Sequence, residues 1–364
     1  MSRFLEVYVT PATVFAAVIM GGGYGTGREV VEFFSRHGTF GGLLGILSAV
    51  VLMAVVLIAT FDTARMNGSY EYREFFGDLL GRYWWTFEVL YLALFLLVLG
   101  VLSSASGSIL QSEYGIPSGL GLTLILFVVA LLVFFGRSVL ERILTFWTAT
   151  MYAVFLLYFF FVLSQLSHLD DVVALPVSET GSWLKGGSQY VLYNVAIAPV
   201  LLFATRGVRS SRDAVGAGIT TAVLVMLPAA LFHISFALGG AQVLDQPVPV
   251  YWMIERFAPE WFRPLFVLAL VGTLAQTGAG LIHGFIERVD HAVFPATDEA
   301  LGYVSRLTIA ALALGSSWLF AQIGIIELIA SGYSALAVGF AIVYVIPLMY
   351  RYLRKCYSDL TINS

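Results

Sequence analysis

Long apolar stretches separated by short clusters of charged residues dominate the sequence. Ten stretches lack Asp, Glu, Lys, Arg and His, and most approach the ~20 residues with which a helix crosses the hydrocarbon core of a bilayer. The pattern predicts an all-α polytopic membrane protein with ten transmembrane helices. The stretches are Val7–Gly27, Gly38–Phe61, Val89–Ser112, Tyr114–Gly136, Ile143–Ser167, Gly186–Thr205, Ala214–Phe232, Pro264–Ile282, Leu307–Ile326 and Leu328–Tyr350.

Composition narrows the class of protein further. Of the 364 residues, 59% are hydrophobic and 12% are charged, about half the charged share of a soluble domain. A soluble enzyme and a disordered chain are therefore excluded, and the single cysteine, Cys356, excludes an intrachain disulfide. The net charge of -4 gives no support for nucleic-acid binding. No HExxH, nucleophile-elbow or P-loop motif occurs, so we expect no enzyme activity, and no cofactor apart from Na⁺ as a candidate ion.

The distribution of basic residues predicts the direction in which the chain crosses the membrane. With the N-terminus inside, 14 of the 19 Lys and Arg residues fall in cytoplasmic segments, as the positive-inside rule requires. Both termini are then cytoplasmic, with residues 351–364 as a C-terminal tail. We expect a multi-pass protein of the cell (inner) membrane, surrounded by lipid, and the sequence leaves its oligomeric state open.

One of the predicted outer loops carries a structural signal of its own. The segment Gly239–Arg263 contains Pro247, Pro249 and Pro259 around Tyr251–Phe257. Prolines bracket helices because they begin them easily and cannot continue them. We therefore expect a short helix lying on the outer surface.

Ten spans divide into two halves of five that run in opposite directions. Residues 1–167 would form the first five-helix repeat and residues 186–350 the second, inverted repeat, within a single membrane domain. Secondary transporters are commonly built on this plan, and they bind their substrates where helices are broken near the middle of the membrane. The plan predicts interruptions in spans one and six, the first helix of each half.

Span one contains five glycines within seven residues. They fall in the run Gly21, Gly22, Gly23, Tyr24, Gly25, Thr26 and Gly27, all of which are candidate substrate-binding residues. Each glycine weakens a helix by about 1 kcal/mol relative to Ala, so the run predicts an unwound segment whose amides bind an anionic group. The alternative is close helix packing, since Gly21 and Gly25 form a GxxxG pair.

Span six carries the matching signal. Pro199 lacks an amide hydrogen and frees a carbonyl about one turn earlier, where Asn194 adds a polar side chain. Tyr193, Asn194 and Ala198 are therefore candidate substrate-binding residues. The alternative is a simple proline kink, with Asn194 bonded to a neighbouring helix.

These two segments resemble the YkvI-like membrane proteins. Gly21, Gly23, Gly27 and Glu29 match that family's first-helix signature, whereas Arg28 replaces its glutamine. Tyr193 and Asn194 followed by Pro199 are similar to its sixth helix. The resemblance implies the amino acid–polyamine–organocation superfamily and its LeuT-like fold with broken helices 1 and 6. It also implies small organic substrates, often amino acids, with Na⁺ or H⁺ coupling.

The same resemblance suggests where a coupling ion binds. In the LeuT fold, hydroxyls of span eight often join carbonyls of span one around Na⁺, and Thr273 and Thr277 occupy such positions. The alternative is that each threonine bonds the carbonyl four residues before it. His283 and Glu287, near the inner end of span eight, are candidates for proton coupling, or else an interfacial pair that faces water.

The resemblance also suggests an outer gate. In LeuT-fold transporters an arginine of outer span one can pair with an acid of outer span ten, and Arg28 with Glu327 fits by position. Glu29 is a further candidate residue of this gate. The alternative is that Arg28 is neutralised by Glu32, four residues along the same helix.

Taken together, these features predict a secondary active transporter that moves a small organic solute, amino-acid-like in character, by alternating access. Two alternatives remain open. One is a channel or passive facilitator, and the other is a non-transporting membrane sensor on the same fold.

Overall fold

A computed structural model describes residues 3–19, 23–135, 150–162, 164–167, 174–177, 182–293 and 302–362. These residues are almost entirely helical, and no β-strand occurs among them beyond one isolated antiparallel bridge between His37 and Val177. The α-helices are α1 (Thr10–Ile19), α2 (Gly23–Thr26), α3 (Arg28–Val30), α4 (Gly38–Asn67), α5 (Tyr72–Leu80), α6 (Trp85–Tyr114), α7 (Ser118–Phe135), α8 (Thr150–Val162), α9 (Trp183–Asn194), α10 (Ser211–Phe236), α11 (Pro249–Phe257), α12 (Phe262–Val293), α13 (Tyr303–Ala321), α14 (Ile325–Glu327), α15 (Ser334–Phe340) and α16 (Ile346–Ile362).

Seven helical segments of the described chain are long and apolar enough to cross a membrane. They are Gly38–Asn67, Trp85–Tyr114, Trp183–Thr205, Ser211–Phe236, Phe262–Asp290, Tyr303–Ala321 and Ile325–Tyr357. Three shorter apolar helices, Leu5–Ile19, Ser118–Phe134 and Thr150–Val162, coincide with the predicted spans one, four and five. The fold is therefore that of a polytopic helical membrane protein, and the count of ten crossings stays a prediction.

The first apolar segment is not one continuous α-helix. The described part of α1 reaches Ile19, and the short α2 spans Gly23–Thr26. Gly27 then adopts a left-handed conformation with φ 79°, which a regular helix does not contain, and α3 begins at Arg28. Residues 20–22, which include the candidates Gly21 and Gly22, lie outside the described residues.

The predicted sixth span also loses its regular geometry. The helix α9 is α-helical as far as Asn194 and continues as a 3₁₀ helix from Val195 to Thr205. Pro199 lies inside this 3₁₀ segment. Runs of 3₁₀ helix longer than about four residues are uncommon and often mark a strained or functional segment.

Contacts between helix ends gather the predicted cytoplasmic segments at one end of the molecule. Arg3 pairs with Asp213 at 3.1 Å, and Arg65 donates to Ser211 at the start of α10. The Tyr352 hydroxyl donates to Asp62, which brings the C-terminal helix to the same place. We call this the arginine-rich end. The grouping agrees with the predicted loops, whereas the orientation in the membrane stays a prediction.

The other end of the molecule is closed by the segment that follows α10. The helix α11 begins at Pro249 and ends at Phe257, close to the predicted Tyr251–Phe257. Residues 249–254 are buried, whereas Glu255 and Arg256 are exposed, so the protein covers most of this helix. Val250 packs against Gly27, where a methyl group would come within 2.7 Å of the Val250 side chain. A position on the outer surface of the membrane stays a prediction.

Small residues allow the helices to pack closely, as is usual in membrane proteins. Gly42 of α4 lies directly against the ring of His233, and a methyl group there would come within 2.2 Å of the imidazole.

His233 is buried between two partners: its Nδ1 lies 2.8 Å from the Ser35 hydroxyl and its Nε2 lies 2.9 Å from the Thr39 carbonyl. Since Nε2 faces a carbonyl, it donates, and Nδ1 accepts from Ser35. This ring therefore ties α10 to α4 and to the part of the first segment that follows Gly27.

Candidate functional site

A cavity of about 70 Å³ lies beside the interruption of the first segment. It is bounded by the end of α1, by α6, by the junction of α9 with its 3₁₀ segment, by α12, and by the helical turn at Leu328–Tyr333. We call it the Glu29 cavity. Its lining residues are Val18, Ile19, Gly23, Glu29, Tyr91, Leu94, Phe95, Val98, Tyr193, Asn194, Ile197, Thr277, Leu281 and Tyr333.

Glu29 supplies the carboxylate of this cavity. Its side chain is 4% exposed, and the Tyr193 hydroxyl donates a hydrogen bond of 2.7 Å to Oε2. Gly23 lies against the other oxygen, Oε1, and a methyl group on that glycine would come within 2.7 Å of it. The Tyr193 ring stacks on Tyr333, with 4.4 Å between the ring centroids. The carboxylate is therefore held by one phenol against an aromatic wall.

A larger cavity of about 390 Å³ continues from the first towards the arginine-rich end. The two share six lining residues, namely Val18, Tyr91, Phe95, Ile197, Thr277 and Leu281. Below them the larger cavity is lined by Gly280, Gly284 and Arg288, on successive turns of α12. The two cavities together form one path from Glu29 to this end of the molecule.

Arg288 lies at the mouth of that path. Its guanidinium carbon stands 4.1 Å from the centre of the Tyr91 ring and 4.6 Å from that of Tyr72. Its Nη1 is 3.9 Å from the Glu88 carboxylate. Contacts of this kind combine cation–π attraction with a weak ion pair, and they hold the cation to one side of the mouth.

The opposite end of the Glu29 cavity is closed by a buried cation. Arg28 is fully buried and donates from Nη1 to the Leu244 carbonyl at 2.7 Å and to that of Gln246 at 3.2 Å. Its Nη2 donates to Glu32 at 2.6 Å, and Glu32 also pairs with Arg36 at 3.2 Å. The guanidinium therefore joins the first segment to the chain that leads into α11.

This pairing differs from the predicted gate between Arg28 and Glu327. Glu327 is exposed and accepts a hydrogen bond from Ser331 on the next turn. Glu32 lies one helical turn after Arg28, so it meets the guanidinium without any movement of a second helix. The structure therefore has the alternative arrangement, in which Arg28 pairs with Glu32 of the same helix. A gate role for Glu327 stays a prediction.

The substrate-binding candidates divide into two groups. Gly23, Tyr193 and Asn194 line the Glu29 cavity, and the Asn194 amide donates to the Tyr190 carbonyl at 3.0 Å. The others that the structure describes are buried but not among its lining residues: Tyr24, Gly25, Thr26, Gly27 and Ala198.

The placement of Tyr24 and Thr26 has a local cause. The Tyr24 hydroxyl donates to the Val225 carbonyl of α10 at 2.9 Å, and the Thr26 hydroxyl donates to the Gly23 carbonyl at 2.5 Å. Both hydroxyls are therefore hydrogen-bonded to backbone carbonyls. Glu29, predicted as part of a gate, occupies the cavity wall instead.

The two threonines predicted to bind Na⁺ use their hydroxyls locally. Thr273 donates to the Ala269 carbonyl at 2.8 Å, and Thr277 donates to the Thr273 carbonyl at 2.9 Å. This is the alternative of i−4 bonding, although each hydroxyl oxygen keeps lone pairs and Thr277 lines both cavities. Among the residues that the structure describes, no group of three or more His, Cys, Asp and Glu side chains is placed to hold a metal ion. Sodium binding therefore stays a prediction.

The proton-coupling candidates lie near the arginine-rich end. His283 Nε2 is 3.4 Å from the Glu287 carboxylate, and the Glu287 side chain is 41% exposed. Neither residue is among those that line the two cavities. Their pairing agrees with the interfacial alternative, and a coupling role stays a prediction.

Two cavity residues had no signal in the sequence. Tyr91 and Tyr333 lie within apolar runs, where a tyrosine is indistinguishable from a packing residue. Their contribution becomes apparent only once five helices are brought together.

Comparison with known proteins gives one weak relative and one shared fold. No family model matches the sequence. A protein of Bacillus subtilis (strain 168), described as the uncharacterized membrane protein YkvI, is 22% identical over 294 residues, which cover 76% of this chain and 80% of that protein. A manganese transporter of Eremococcus coleocola, crystallised with an aromatic bis-isothiourea substituted compound, gives a TM-score of 0.51 at 14% identity over 94% of this chain and 78% of that chain. Two of its single-residue mutants give the same TM-score at 13% identity. The protein is thus an integral, multi-pass membrane protein with the fold of a transporter.

Proposed function

We propose that the protein is a secondary active transporter that moves a small organic solute by alternating access. The observation that supports this most is the path formed by the two cavities. It begins beside two interrupted helices, is closed at one end by Arg28, and widens towards the arginine-rich end. With the N-terminus inside, this arrangement corresponds to a conformation that faces the cytoplasm of a cell-membrane protein.

We place the chain on the LeuT-like plan of two inverted five-helix repeats, within the amino acid–polyamine–organocation superfamily. The left-handed Gly27 in the first segment and the 3₁₀ geometry after Asn194 support this, since the plan breaks the first helix of each half. The YkvI relative and the transporter fold point the same way. Transport would then rock α1 and α9 against the remaining helices.

The lining of the Glu29 cavity favours an organic solute, amino-acid-like in character, over a divalent metal. It offers one carboxyl group, three phenol rings, one amide and the hydroxyl of Thr277 among otherwise apolar side chains. Manganese is usually held by several carboxylate, carbonyl and water oxygens in octahedral geometry. Rings and aliphatic side chains instead suit the carbon skeleton of a small molecule.

Counterflow in proteoliposomes tests the transporter proposal against its alternatives. Vesicles loaded with an excess of an unlabelled amino acid should take up the labelled form transiently above equilibrium, because a carrier exchanges solutes across one alternating site. A channel or facilitator would equilibrate the label without the overshoot. A sensor that does not transport would show binding in a thermal-shift screen without any uptake.

Sodium dependence tests the coupling ion. If Thr273 and Thr277 help to hold Na⁺, replacing choline by Na⁺ at constant ionic strength should tighten solute binding by about fivefold or more. Thr273→Val and Thr277→Val should each abolish that dependence, because valine keeps the shape and removes the oxygen. Thr221→Val is the matched control, since its hydroxyl also donates to an i−4 carbonyl, that of Ala217, away from the cavities. Equal affinity in the two salts would turn attention to His283 and Glu287 and to a pH gradient.

A further inference from the structure

The Glu29 cavity is lined by one carboxyl group and, among the described residues, by no cationic side chain. Of the two nearest candidates for a balancing cation, Arg28 directs its guanidinium at Leu244, Gln246 and Glu32 on the closed side. Arg288 lies at the mouth, about 16 Å along α12 from Thr277. Within the described part of the chain, Glu29 forms no ion pair, and Tyr193 is its hydrogen-bond donor. The Glu29 carboxyl group is therefore buried without a cationic partner among the described residues.

Alternating access makes this arrangement significant. While the path is open, water can hydrate the carboxylate. When the cavity closes around its cargo, an unpaired carboxylate in an apolar site would carry a penalty of several kcal/mol or would have to take up a proton. A cargo that brings a positive charge to Glu29 removes that penalty, and the ion pair then forms only in the occupied state.

The rest of the wall suits a cationic nitrogen with a carbon skeleton attached. Tyr193, Tyr333 and Tyr91 place three electron-rich rings on the same small cavity as the carboxylate. Cations within about 6 Å of such rings are attracted to their faces, the more so where water is excluded. The aliphatic lining beyond, including Ile197 and Leu281, leaves an apolar space beside the rings.

We propose that Glu29, backed by Tyr193 and Tyr333, is the binding site for the ammonium group of the transported solute. The proposal rests on the transporter function and names the chemical class that its site selects. Glu29 Oε2 is oriented by the Tyr193 hydroxyl, and Oε1 receives the ammonium hydrogens. Gly23 is required beside Oε1 because any side chain there would displace the carboxylate.

The test uses four probes that share one phenylethyl body: 2-phenylethylamine, phenylalanine, 2-phenylethanol and 3-phenylpropanoate. Binding to the purified protein in detergent is followed by thermal shift and by titration calorimetry. The two probes with an ammonium group should bind to the wild type, and 3-phenylpropanoate should not. Glu29→Gln should weaken 2-phenylethylamine binding by about tenfold or more, because a hydrogen-bonded charge pair is lost.

Further variants separate binding from folding. Gly23→Ala should weaken amine binding because its methyl group displaces the Glu29 carboxyl group without removing it. Tyr193→Phe should weaken binding less, since the ring stack remains. Glu29→Asp should restore part of the affinity. Glu255→Gln is the control for the chemical change, because Glu255 is an exposed residue of α11. Size-exclusion profiles verify that each variant is folded.

The outcomes distinguish this proposal from the transporter function. Amine binding that is unchanged in both Glu29→Gln and Gly23→Ala would overturn the ammonium site, as would a wild type that binds only 3-phenylpropanoate or none of the probes. Counterflow of an uncharged or anionic solute, unaffected by Glu29→Gln, would also overturn it and leave the transporter intact. Amine binding that depends on Glu29 without any counterflow would support the site and refute the transporter.

Discussion

Glu32→Gln will lower the free energy of unfolding by about 3–5 kcal/mol, the loss expected when one partner of a buried ion pair is removed. Arg28 is fully buried and donates to Glu32 at 2.6 Å, so the variant leaves a guanidinium in the interior without its counter-charge. Arg36 loses the same partner. Unfolding in mixed detergent and SDS, followed by circular dichroism, measures the change.

Glu327→Gln is the matched control, since it makes the same chemical change at an exposed residue. Its carboxylate accepts from Ser331 and has no part in the Arg28 cluster, so the unfolding energy should stay within about 0.5 kcal/mol of the wild type. A cysteine at the buried Val250, in a Cys356→Ser background, should react faster with an impermeant thiol reagent in Glu32→Gln only. Faster labelling in Glu327→Gln instead would reinstate the gate predicted from the sequence.

Gly27→Ala will destabilise the protein by about 2–5 kcal/mol, because two penalties coincide at this residue. Its φ of 79° is strained for any residue with a side chain. In addition, a methyl group would come within 2.7 Å of both the Phe236 ring and the Val250 side chain. The same unfolding titration measures the loss, and solute binding should fall with it because Glu29 follows two residues later.

Gly68→Ala separates the two penalties. Gly68 has nearly the same backbone angle, with φ 72°, but nothing lies within 4 Å of the position that its methyl group would occupy. It should therefore lose only the conformational part, about 1–2 kcal/mol. Equal losses in the two variants would mean that the contact of Gly27 with α11 is looser than the structure indicates.

The apolar pattern was sufficient for the positions of most helices. Predicted and observed starts coincide at Gly38 for α4, and the short helix among the outer prolines was found within two residues of its expected start. The ends are less predictable: α4 continues past Phe61 to Asn67, through Asp62 and Arg65. A helix needs apolar residues only where lipid or protein surrounds it, so its charged final turns escape a search for uncharged runs.

The site was only partly predictable, and Gly27 is the reason. Within the glycine run, Gly27 interrupts the helix, whereas Gly23–Thr26 form the short α-helix α2 and not the unwound segment that was predicted. Successive residues of an α-helix advance by a fixed rotation, and a left-handed residue resets that rotation by an amount that the sequence does not specify. The sequence therefore could not tell that Glu29 would face the cavity while Tyr24 and Arg28 faced away from it.

The two hydrogen bonds of His233 have a mechanical consequence for the transport cycle. They fasten the part of the first segment that follows Gly27, through Ser35, to both α4 and α10, while Arg28 fastens its start to the chain before α11. A helical segment that is held by hydrogen bonds at both ends resists bending between them. We therefore expect the half-helix that begins at Arg28 to move together with α4 and α10, and the bending to be concentrated at Gly27.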